Sequence, residues 1–372
     1  MSYKCFENVR GILGFGCMRL PMKDGAVDAK QFCEMTDRFI EEGFNYFDTA
    51  HGYIGGKSET AIRECVSKRH SRDSFILTDK LTENYFNSRE DIVPFFESQL
   101  KACGVDYFDF YLMHAQHAGN YEKYKACEAY KAAFELKKAG KVKYVGLSFH
   151  DRAEVLDRIL TENPDVDAVQ IQFNYLDYED GRVQSRLCYE VCRKHDKPVI
   201  VMEPVRGGRL AVLPRPAAQI YASLSDKSAA SYALRFVAGF EGIKMILSGM
   251  SNNAQMEDNI KTMKNPEPLS EKEKEALGKV LSILRTKGVI SCTGCGYCVA
   301  GCPAGINIPE IFACMNAKTI YNEDATERFE KLLSNSSKPS YCVECGQCES
   351  ACPQHLKIRE LMKTAAQALE KN

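Results

Sequence analysis

Short apolar runs and amphipathic stretches alternate through the first two thirds of the chain. Eight of the apolar runs are rich in Val, Ile and Phe, which is typical of parallel strands that are buried on both faces. The predicted strands are Ile12–Met18, Asn45–Thr49, Phe75–Lys80, Phe108–His114, Tyr144–Ser148, Ala168–Asn174, Pro198–Glu203 and Lys244–Ser248.

The stretches between these runs have apolar residues at helical spacing. They predict helices over Asp28–Glu42, Ser58–His70, Ser88–Cys103, Tyr121–Ala139, Asp151–Glu162, Gln184–His195, Lys227–Ala238 and Asn253–Met263, with Ser58, Ser88 and Asp151 as N-caps. Eight strand–helix repeats predict an α/β fold of the (β/α)8 TIM-barrel type. An open doubly wound sheet is the alternative, but no predicted strand is followed by G-x-G-x-x-G.

The pattern changes after the barrel repeats. We assign residues 1–265 to the barrel and 266–288, which are rich in charge and begin with Pro266, to a linker and a helix. The composition then shifts to Gly, Cys and Pro near Ser291, so residues 289–372 are predicted to be a small, mainly helical domain. Its predicted helices are Pro309–Lys318, Ala325–Leu333 and Ile358–Leu369.

Composition and charge exclude several classes of function. The 372 residues carry a formal net charge of −1 without a cluster of Lys or Arg, so nothing favours nucleic acid or an anionic membrane. No stretch approaches the roughly 18 apolar residues of a membrane span, and Met1–Arg10 has no apolar signal-peptide core. With many cysteines in a chain that has no export signal, we expect a reducing, cytoplasmic location.

Eight of the 17 cysteines fall into two identical motifs near the C-terminus. Cys292, Cys295, Cys298 and Cys302 follow C-x2-C-x2-C-x3-C-P, and Cys342, Cys345, Cys348 and Cys352 repeat it. In this motif the fourth cysteine ligates the other cluster. The sequence therefore predicts two 4Fe–4S clusters, one bound by Cys292, Cys295, Cys298 and Cys352 and the other by Cys342, Cys345, Cys348 and Cys302.

Two alternatives concern these and the remaining cysteines. Zinc is the other reading of the motifs, but zinc ribbons use pairs of cysteines rather than two runs of four. The other nine cysteines, such as Cys33, Cys65 and Cys103, are expected to be mostly small buried hydrophobic residues. Cys188 and Cys192, four apart on a predicted helix, could meet a metal. The helices between and after the motifs resemble those of all-helical ferredoxins.

Three segments of the barrel resemble the aldo/keto reductase superfamily. They are Gly43-Phe-Asn-Tyr-Phe-Asp-Thr-Ala-His-Gly-Tyr53, Thr78-Asp-Lys80 and Leu112-Met-His114, and the resemblance covers roughly residues 10–265. Their polar residues come, in order, at the C-terminal ends of strands two to four, where active sites of such barrels lie. The whole chain resembles the aldo/keto reductases that carry a C-terminal ferredoxin-type domain with two 4Fe–4S clusters.

The resemblance implies a catalytic set of Asp48, Tyr53, Lys80 and His114. Hydride reduction of a carbonyl leaves an alkoxide that needs a proton, and a tyrosine with its ordinary pKa near 10 is a poor acid and base at neutral pH. We expect Lys80 to lower the pKa of Tyr53 and Asp48 to keep Lys80 charged. His114 would orient the carbonyl oxygen.

The resemblance also implies a nicotinamide nucleotide site. Ser148 and Gln170 match the positions that hold the carboxamide, and Arg206, Gly207 and Gly208 match the pyrophosphate loop. The chain departs from the family by having Phe149 after Ser148, Met202 for a ring-stacking Tyr, and Gly249 and Gln255 for the cations that hold a 2′-phosphate. Ser248 and Asn259 complete the matched set. We therefore expect NAD(P)(H) with weak discrimination or a preference for NAD.

Two functional hypotheses follow. The first is an oxidoreductase that interconverts a small-molecule carbonyl and an alcohol and exchanges electrons through its clusters with a partner such as a ferredoxin or a flavoprotein. The second is a non-enzymatic electron-transfer or redox-sensing protein whose barrel only binds a cofactor or partner. Since nicotinamide moves two electrons and each cluster one, FMN in place of or beside nicotinamide is a further hypothesis. The replacement of the ring-stacking Tyr by Met202 and of the 2′-phosphate cations by Gly249 and Gln255 would fit a flavin instead of a nicotinamide nucleotide. The phosphate loops of such barrels could accept the phosphate of FMN.

Overall fold

A computed structural model describes residues 3–285, 289–321 and 325–370. They form two compact units, one of residues 1–205 and 230–269 and the other of residues 206–229 and 270–372. Residues 286–288, the end of the predicted linker and helix, lie outside the described residues. So do 322–324 within the predicted C-terminal domain and residues 1–2 and 371–372 at the two ends.

The first unit contains a closed barrel of eight parallel strands, as the sequence predicts. The strands of the structure are β1 (Leu13–Gly16), β2 (Met22–Lys23), β3 (Ala26–Val27), β4 (Tyr46–Asp48), β5 (Ile76–Leu81), β6 (Phe108–Gln116), β7 (Val142–Phe149), β8 (Ala168–Gln172), β9 (Val199–Met202) and β10 (Ile243–Ser248). β4 to β10 pair in chain order, and β1 closes the barrel between β10 and β4. β2 and β3 form a separate antiparallel pair that the sequence analysis did not anticipate.

The helices follow the predicted order with some differences. They are α1 (Ala29–Glu41), α2 (Lys57–Ile62), α3 (Ile92–Cys103), α4 (Ala118–Ala126), α5 (Ala129–Lys138), α6 (Ala153–Glu162), α7 (Ser185–Lys194), α8 (Arg215–Ala222), α9 (Ala229–Ala238), α10 (Asn253–Met263), α11 (Glu271–Leu284), α12 (Tyr297–Ala300), α13 (Ile308–Asn316), α14 (Thr326–Leu332), α15 (Gln347–Ser350) and α16 (Ile358–Leu369). A π-helical turn, Arg63–Ser67, extends α2. The predicted helix Tyr121–Ala139 is two helices, because Glu128 adopts φ +48°.

The predicted N-caps are wrong at all three positions. Ser58 lies inside α2, which is preceded by Gly56 at φ +83°. Ser88 precedes α3, where Asp91 is the N-cap and its carboxylate accepts hydrogen bonds from the backbone N–H groups of Asn87 and Ser88. Asp151 comes one residue before the N-cap of α6. Short polar side chains accept hydrogen bonds from backbone N–H groups in turns as well as at N-caps. The residue type alone therefore does not show where a helix begins.

Close packing inside the barrel requires glycine at two positions. A Cβ on Gly14 would lie 2.6 Å from the sulfur of Met245, and one on Gly146 would lie 2.6 Å from the carbonyl oxygen of Ala168. The core that fills the barrel includes Tyr46, Phe110 and Met245. The polar residues that come later in the barrel strands lie beyond this apolar core, at the C-terminal end of the barrel.

The second unit is helical around the cysteine motifs. Its core includes Ile306, Ile311, Phe312, Met362 and Ala365. α13, α14 and α16 confirm the three predicted helices of this region. α11 begins with a capping box in which Ser270 and Glu273 exchange hydrogen bonds, and it packs against α8. Helix α8 and its grouping with this unit were not predicted.

Two further findings concern membrane spans and the cysteines outside the two motifs. Within residues 3–285, 289–321 and 325–370, no helix is long and apolar enough to cross a membrane. Cys33 and Cys65 form a disulfide between α1 and the π-helical turn, so they are not the isolated hydrophobic residues that the sequence analysis expects. Most of the remaining non-motif cysteines, including Cys103 and Cys192, are free and buried, as expected.

Candidate active site and iron–sulfur sites

Lys80 lies at the centre of the candidate active site. It is fully buried near the end of β5, and its ammonium donates to Asp48 Oδ1 at 2.6 Å, to the Thr49 carbonyl oxygen at 2.7 Å and to Tyr53 Oη at 3.1 Å. An ammonium has three donors, so these three acceptors satisfy it completely. The pairing of β4 with β5, which sets Asp48 beside Thr78, brings the carboxylate within reach of Lys80.

Asp48 is held from both sides of the barrel. Its second oxygen, Oδ2, accepts a hydrogen bond from Gln170 Nε2 at 3.0 Å, although Gln170 lies on β8. The carboxylate is 3% exposed, so its charge is balanced by Lys80 and by this amide rather than by water. The structure thus brings Gln170 to Asp48; its predicted contact with a nicotinamide carboxamide stays a prediction.

Tyr53 comes from a short 3-10 turn, Tyr53–Gly56, that follows β4. Burial raises the pKa of Tyr53 well above its ordinary value of 10, and the charges of Asp48 and Asp79 raise it further. This net direction is opposite to the lowering that the sequence analysis expects, because burial is the largest effect on the phenol.

His114 faces Tyr53, with 6.0 Å between the ring centroids. Burial lowers the pKa of His114 well below 6.5, with the charge of Lys80 adding to the effect, so the ring is neutral. Its Nδ1 lies 2.6 Å from Thr82 Oγ1. Sequence analysis missed Thr82, although it comes two residues after Lys80 and so shares its face by the period of a strand.

A second polar cluster behind Lys80 was also missed. Asp79 Oδ1 accepts from the Lys80 backbone N–H at 2.8 Å and from Gln99 Nε2 at 3.0 Å, while Gln99 Nε2 also donates to the Lys80 carbonyl at 3.0 Å. Glu59 joins this cluster and lies 2.8 Å from His51 Nδ1. Burial raises the pKa of Asp79, and the nearby charge of Glu59 adds to it. The alternation of a strand predicts the outward direction of Asp79, but not its partners on α2 and α3.

The predicted nucleotide residues are placed as follows. Ser148 Oγ accepts from the Ala115 backbone N–H at 2.8 Å, and Asn259 Nδ2 donates to Ser248 Oγ at 2.8 Å. Gln255 Oε1 accepts from the Ser251 backbone N–H. Met202 ends β9. The aliphatic part of the Arg19 side chain packs over Gly249, where a Cβ would lie 3.2 Å from Arg19 Cβ, and the Arg19 guanidinium lies 3.6 Å from Glu203. The sequence analysis did not select Arg19.

The predicted pyrophosphate loop, Arg206–Gly208, has an unusual backbone. Arg206, Gly207 and Gly208 all adopt positive φ, at 50°, 63° and 96°. Arg206 is 1% exposed, and the loop belongs to the second compact unit. The structure does not test its predicted contact with pyrophosphate.

The eight motif cysteines line two separate cavities. One cavity is lined by Cys292, Cys295, Cys298 and Cys352. The other is lined by Cys302, Cys342, Cys345 and Cys348. Each cavity thus groups three cysteines of one motif with the fourth of the other, which is the ligand set of a two-cluster ferredoxin.

The chemistry of each cavity fits an iron–sulfur cluster. Gly294 and Gly296 in the first motif and Gly346 in the second adopt positive φ, which lets the backbone turn tightly around a bound group. Much of the remaining lining is apolar, with Ile308, Phe312 and Ile358 in the first cavity and Ala304, Ile306 and Met362 in the second, and polar residues such as Gln354 and Arg359 complete it. A pocket rich in cysteine thiols suits a cluster.

The possible metal contact of Cys188 and Cys192 finds no support among the described residues. Both lie buried in α7, and neither belongs to the group of Glu59, Asp79 and Cys103, whose ligand atoms lie within 4.8 Å of one another. Burial raises the pKa of Cys188 to about 12, as is usual for a thiol that packs as an apolar group.

Comparisons with known proteins agree with this architecture. The model of the aldo/keto reductase family matches residues 12–282, and that of the 4Fe-4S dicluster domain matches residues 291–356. The uncharacterized oxidoreductase YqkF of Bacillus subtilis is 25% identical over 71% of this chain and 90% of its own length. The 4-dihydromethyl-trisporate dehydrogenase of Mucor mucedo is 38% identical, but over 28% of this chain and 30% of its own length.

Solved structures show the same barrel. An aldo-keto reductase from Bacillus halodurans, in its holo form, has a TM-score of 0.58 at 23% identity and covers 72% of this chain and 91% of its own. An aldo/keto reductase from Klebsiella pneumoniae, solved with NADP and acetate, has a TM-score of 0.59 at 19% identity over 73% of this chain and 91% of its own. With the family model spanning most of the chain, the protein belongs to the aldo/keto reductase family and is an oxidoreductase of that type with a 4Fe-4S domain.

Proposed function

We propose that the barrel interconverts a small-molecule carbonyl and an alcohol, with Tyr53 as the group that moves the proton. The observation that carries this proposal is the buried ammonium of Lys80, held 2.6 Å from Asp48 and 3.1 Å from Tyr53. A barrel that only binds a ligand gains nothing from burying the ion pair of Lys80 and Asp48 against a phenol, since burying charges costs free energy.

The hydrogen bonds specify which way the proton of Tyr53 points. Tyr53 Oη accepts from Lys80, so its own O–H is directed elsewhere and can donate to a substrate oxygen. His114 is neutral; with Nδ1 accepting from the Thr82 hydroxyl, its Nε2 keeps a proton to donate to the same oxygen. Two donors then meet the negative charge that develops as the carbonyl is reduced.

A bound NAD(P)H would supply the hydride. Two structures of aldo/keto reductases from Klebsiella pneumoniae, one with NADP and one with NADPH, support a nicotinamide nucleotide as the cofactor of this barrel. Ser148, Gln170 and Asn259 would contact it. With Gly249 and Gln255 in place of cations, we expect discrimination between NAD and NADP to be weak and to depend on Arg19.

The cysteine cavities would hold two 4Fe–4S clusters that exchange single electrons with a partner protein. The second cavity is the more accessible, since Cys345 is exposed and Tyr341 and Val343 beside Cys342 are 61% and 64% exposed. Electron transfer favours a short path from the surface to a cluster. A ferredoxin or a flavoprotein would supply the one-electron chemistry.

A direct assay tests the barrel activity. Anaerobically purified protein is mixed with NADH or NADPH and a panel of small aldehydes and ketones, and nucleotide oxidation is followed with product analysis. We expect at least one carbonyl to be reduced, and Tyr53→Phe to abolish that reduction. Tyr107→Phe, a tyrosine whose hydroxyl contacts Lys143, is the matched control and should retain full activity. Equal activity of Tyr53→Phe and wild type would contradict the proposal.

A further inference from the structure

The backbone of Lys80 lies just beyond the point where the pairing of β4 with β5 ends. The Ile76 N–H donates to the Asn45 carbonyl at 2.7 Å. Two residues later, the Thr78 carbonyl accepts from the Thr49 N–H at 2.9 Å. The backbone groups of a strand alternate between its two neighbours, so those of Lys80 also face the β4 side. One further step of this pairing would join the Lys80 N–H to the Thr49 carbonyl.

The Thr49 carbonyl has a different partner. It accepts a hydrogen bond from the ammonium of Lys80 at 2.7 Å, while the Lys80 N–H donates to Asp79 Oδ1 at 2.8 Å. The Lys80 carbonyl oxygen accepts from Gln99 Nε2, on α3, at 3.0 Å. Two side chains thus replace the strand pairing at both backbone groups of Lys80, and the Thr49 carbonyl is left for the ammonium.

Gln99 is held on every side by polar groups. Its Nε2 also donates to Asp79 Oδ1 at 3.0 Å and approaches Glu59 Oε1 at 3.4 Å, while its Oε1 accepts from the Tyr111 hydroxyl at 2.6 Å. Gln99, Asp79 and Tyr111 are fully buried. Buried polar groups must find their partners within the protein, so the loss of one partner is costly for those that remain.

The position of the ammonium depends on this arrangement. Its three donors are matched by Asp48, the Thr49 carbonyl and Tyr53. If the Lys80 N–H took the Thr49 carbonyl, the ammonium would lose one of these acceptors and would be free to move relative to Tyr53. A displacement of about 1 Å in an active site can reduce a rate on the order of 100-fold.

We propose that Gln99 and Asp79 are positioning residues for Lys80. They bind its two backbone groups and so reserve the Thr49 carbonyl for the ammonium beside Tyr53. They act through Lys80 and not on the substrate. The inference rests on the proposed function, in which Tyr53 moves the proton, and it extends the residues required for that function to α3.

The experiment compares variants of the full-length protein in single-turnover reduction of a carbonyl that the wild type accepts. Gln99→Met keeps the length of the side chain but removes its polar atoms. We expect the rate of reduction to fall about 10- to 100-fold, with the KM of the carbonyl and the Kd of the nucleotide unchanged. Asp79→Ala should have the same effect. Asp79→Asn should recover most of the lost rate, because its amide oxygen can accept from the Lys80 N–H.

The matched control is Leu100→Ala. Leu100 follows Gln99 on α3 and is a buried apolar residue of the core, so this change removes packing and destabilises the same helix. It removes no hydrogen bond to Lys80 and should leave the rate of reduction unchanged. The comparison therefore separates a loss of position from a loss of stability.

A crystal structure of Gln99→Met tests the positioning without any turnover. We expect the Lys80 N–H to donate to the Thr49 carbonyl and the ammonium to lose that bond. If Gln99→Met does not fold, Tyr111→Phe replaces it in both measurements, because it keeps the amide of Gln99 but removes the hydroxyl that orients it. A smaller loss of rate in the same direction is then expected.

Several outcomes would overturn the inference. They are a wild-type rate in folded Gln99→Met, an equal loss in Leu100→Ala, and an Asp79→Asn variant as slow as Asp79→Ala. An unchanged bond between the ammonium and the Thr49 carbonyl would do so as well, as would a wild-type rate in Tyr111→Phe where that variant is needed. A wild type that reduces no carbonyl would instead refute the proposed function, and the crystal structure would still decide whether Lys80 is positioned in this way.

Discussion

At the scale of single residues, the site depends on a buried charge whose partners are all provided by the protein. Lys80 and Asp48 are removed from water together, and an ion pair of this kind is costly to break because the remaining partner stays buried and charged. The same pair that supports the chemistry therefore constrains the stability of the barrel.

Replacing Lys80 by Met should reduce both the catalytic rate and the stability of the barrel. We expect the chemical step to slow by about 10²–10⁴-fold, the range of a lost general acid, and nucleotide affinity to change little. The barrel should lose about 3–5 kcal/mol, because Asp48 keeps only its bond from Gln170. Single-turnover kinetics and urea unfolding measure the two effects. The double variant Lys80→Met/Asp48→Asn should recover stability but not activity; near-normal turnover in Lys80→Met would refute the role of Tyr53.

The direction of the Tyr53 pKa shift gives a pH dependence. Since burial raises this pKa above 10, the phenol remains a proton donor throughout the neutral and alkaline range. We expect kcat/KM for carbonyl reduction to stay flat from neutral pH up to about 10, provided that the nucleotide remains saturating. Alcohol oxidation, which needs the phenolate, should rise over the same range. A fall in the rate of reduction below pH 10 would show instead that Lys80 controls the pKa, as the sequence alone suggests.

The sequence predicts the main residues of the candidate active site better than it predicts the neighbouring residues that hold them and set their pKa values. Asp48, Tyr53, Lys80 and His114 lie together because each comes near or just after the C-terminal end of a strand of a closed barrel, and the order of the strands can be predicted from the hydrophobic runs. Their pKa values are not readable, because they depend on how completely water is excluded. Thr82 was missed although its spacing from Lys80 places it on the same face, because its contact with His114 has no signature in the sequence.

At the scale of elements, long periodic patterns predict which helices and strands are present, whereas the local conformation of the loops determines where each element ends. All eight strands were found, because apolar runs between helical stretches have few other interpretations. The break between α4 and α5 at Glu128 was not, since no glycine or proline marks it. β2, β3 and α8 are too short for periodicity to detect.

The disulfide between Cys33 and Cys65 joins α1 to the turn that extends α2, and it gives a prediction at this scale. Its ends are separated by 32 residues, so the chain-entropy model gives a stabilisation of about 3–4 kcal/mol. We expect Cys33→Ala/Cys65→Ala to destabilise the barrel by roughly that amount in urea unfolding. Cys127→Ala, a free buried cysteine, is the control and should cost less. Alkylation of both cysteines in denatured, unreduced protein would contradict the pairing.

At the scale of the whole molecule, the chain has two compact units whose limits do not follow the predicted domains. Residues 206–229 group with the cysteine-containing unit, although the sequence places them among the barrel repeats. A contact between segments so far apart in sequence has no local signature. The cysteine spacing, in contrast, predicts how the cysteines group, because each cavity is lined by the four cysteines that the motif assigns to one site.

The iron content follows from those two cavities. We expect about eight irons per chain in anaerobically isolated protein, four for each cluster. Cys295→Ser should lose about half of them and destabilise residues 289–370, because cluster binding and folding are linked. Cys314→Ala, a buried cysteine of α13 outside both cavities, should retain all of them. Stoichiometric zinc with little iron would refute the assignment.

The last prediction concerns electron flow between the cofactor of the barrel and the clusters. A nicotinamide gives up two electrons together as hydride, whereas each cluster accepts one, so a group that handles both is required between them. A flavin can do so. We therefore expect NADH or NADPH alone to reduce the clusters slowly, and addition of FMN or a flavoprotein to accelerate the reduction.

Two measurements separate the sources of that flavin. Chromatography of cofactor released from anaerobic protein shows whether FMN is bound by the chain itself, and Met202→Tyr should weaken that binding if this position faces the flavin ring. Tyr107→Phe is the control that should not affect binding. If the chain binds no flavin, the acceleration must come from a partner, and FMN alone should have little effect. Fast reduction of both clusters by NADH or NADPH, without any flavin, would exclude both versions, because the barrel would then pass electrons to the clusters by itself.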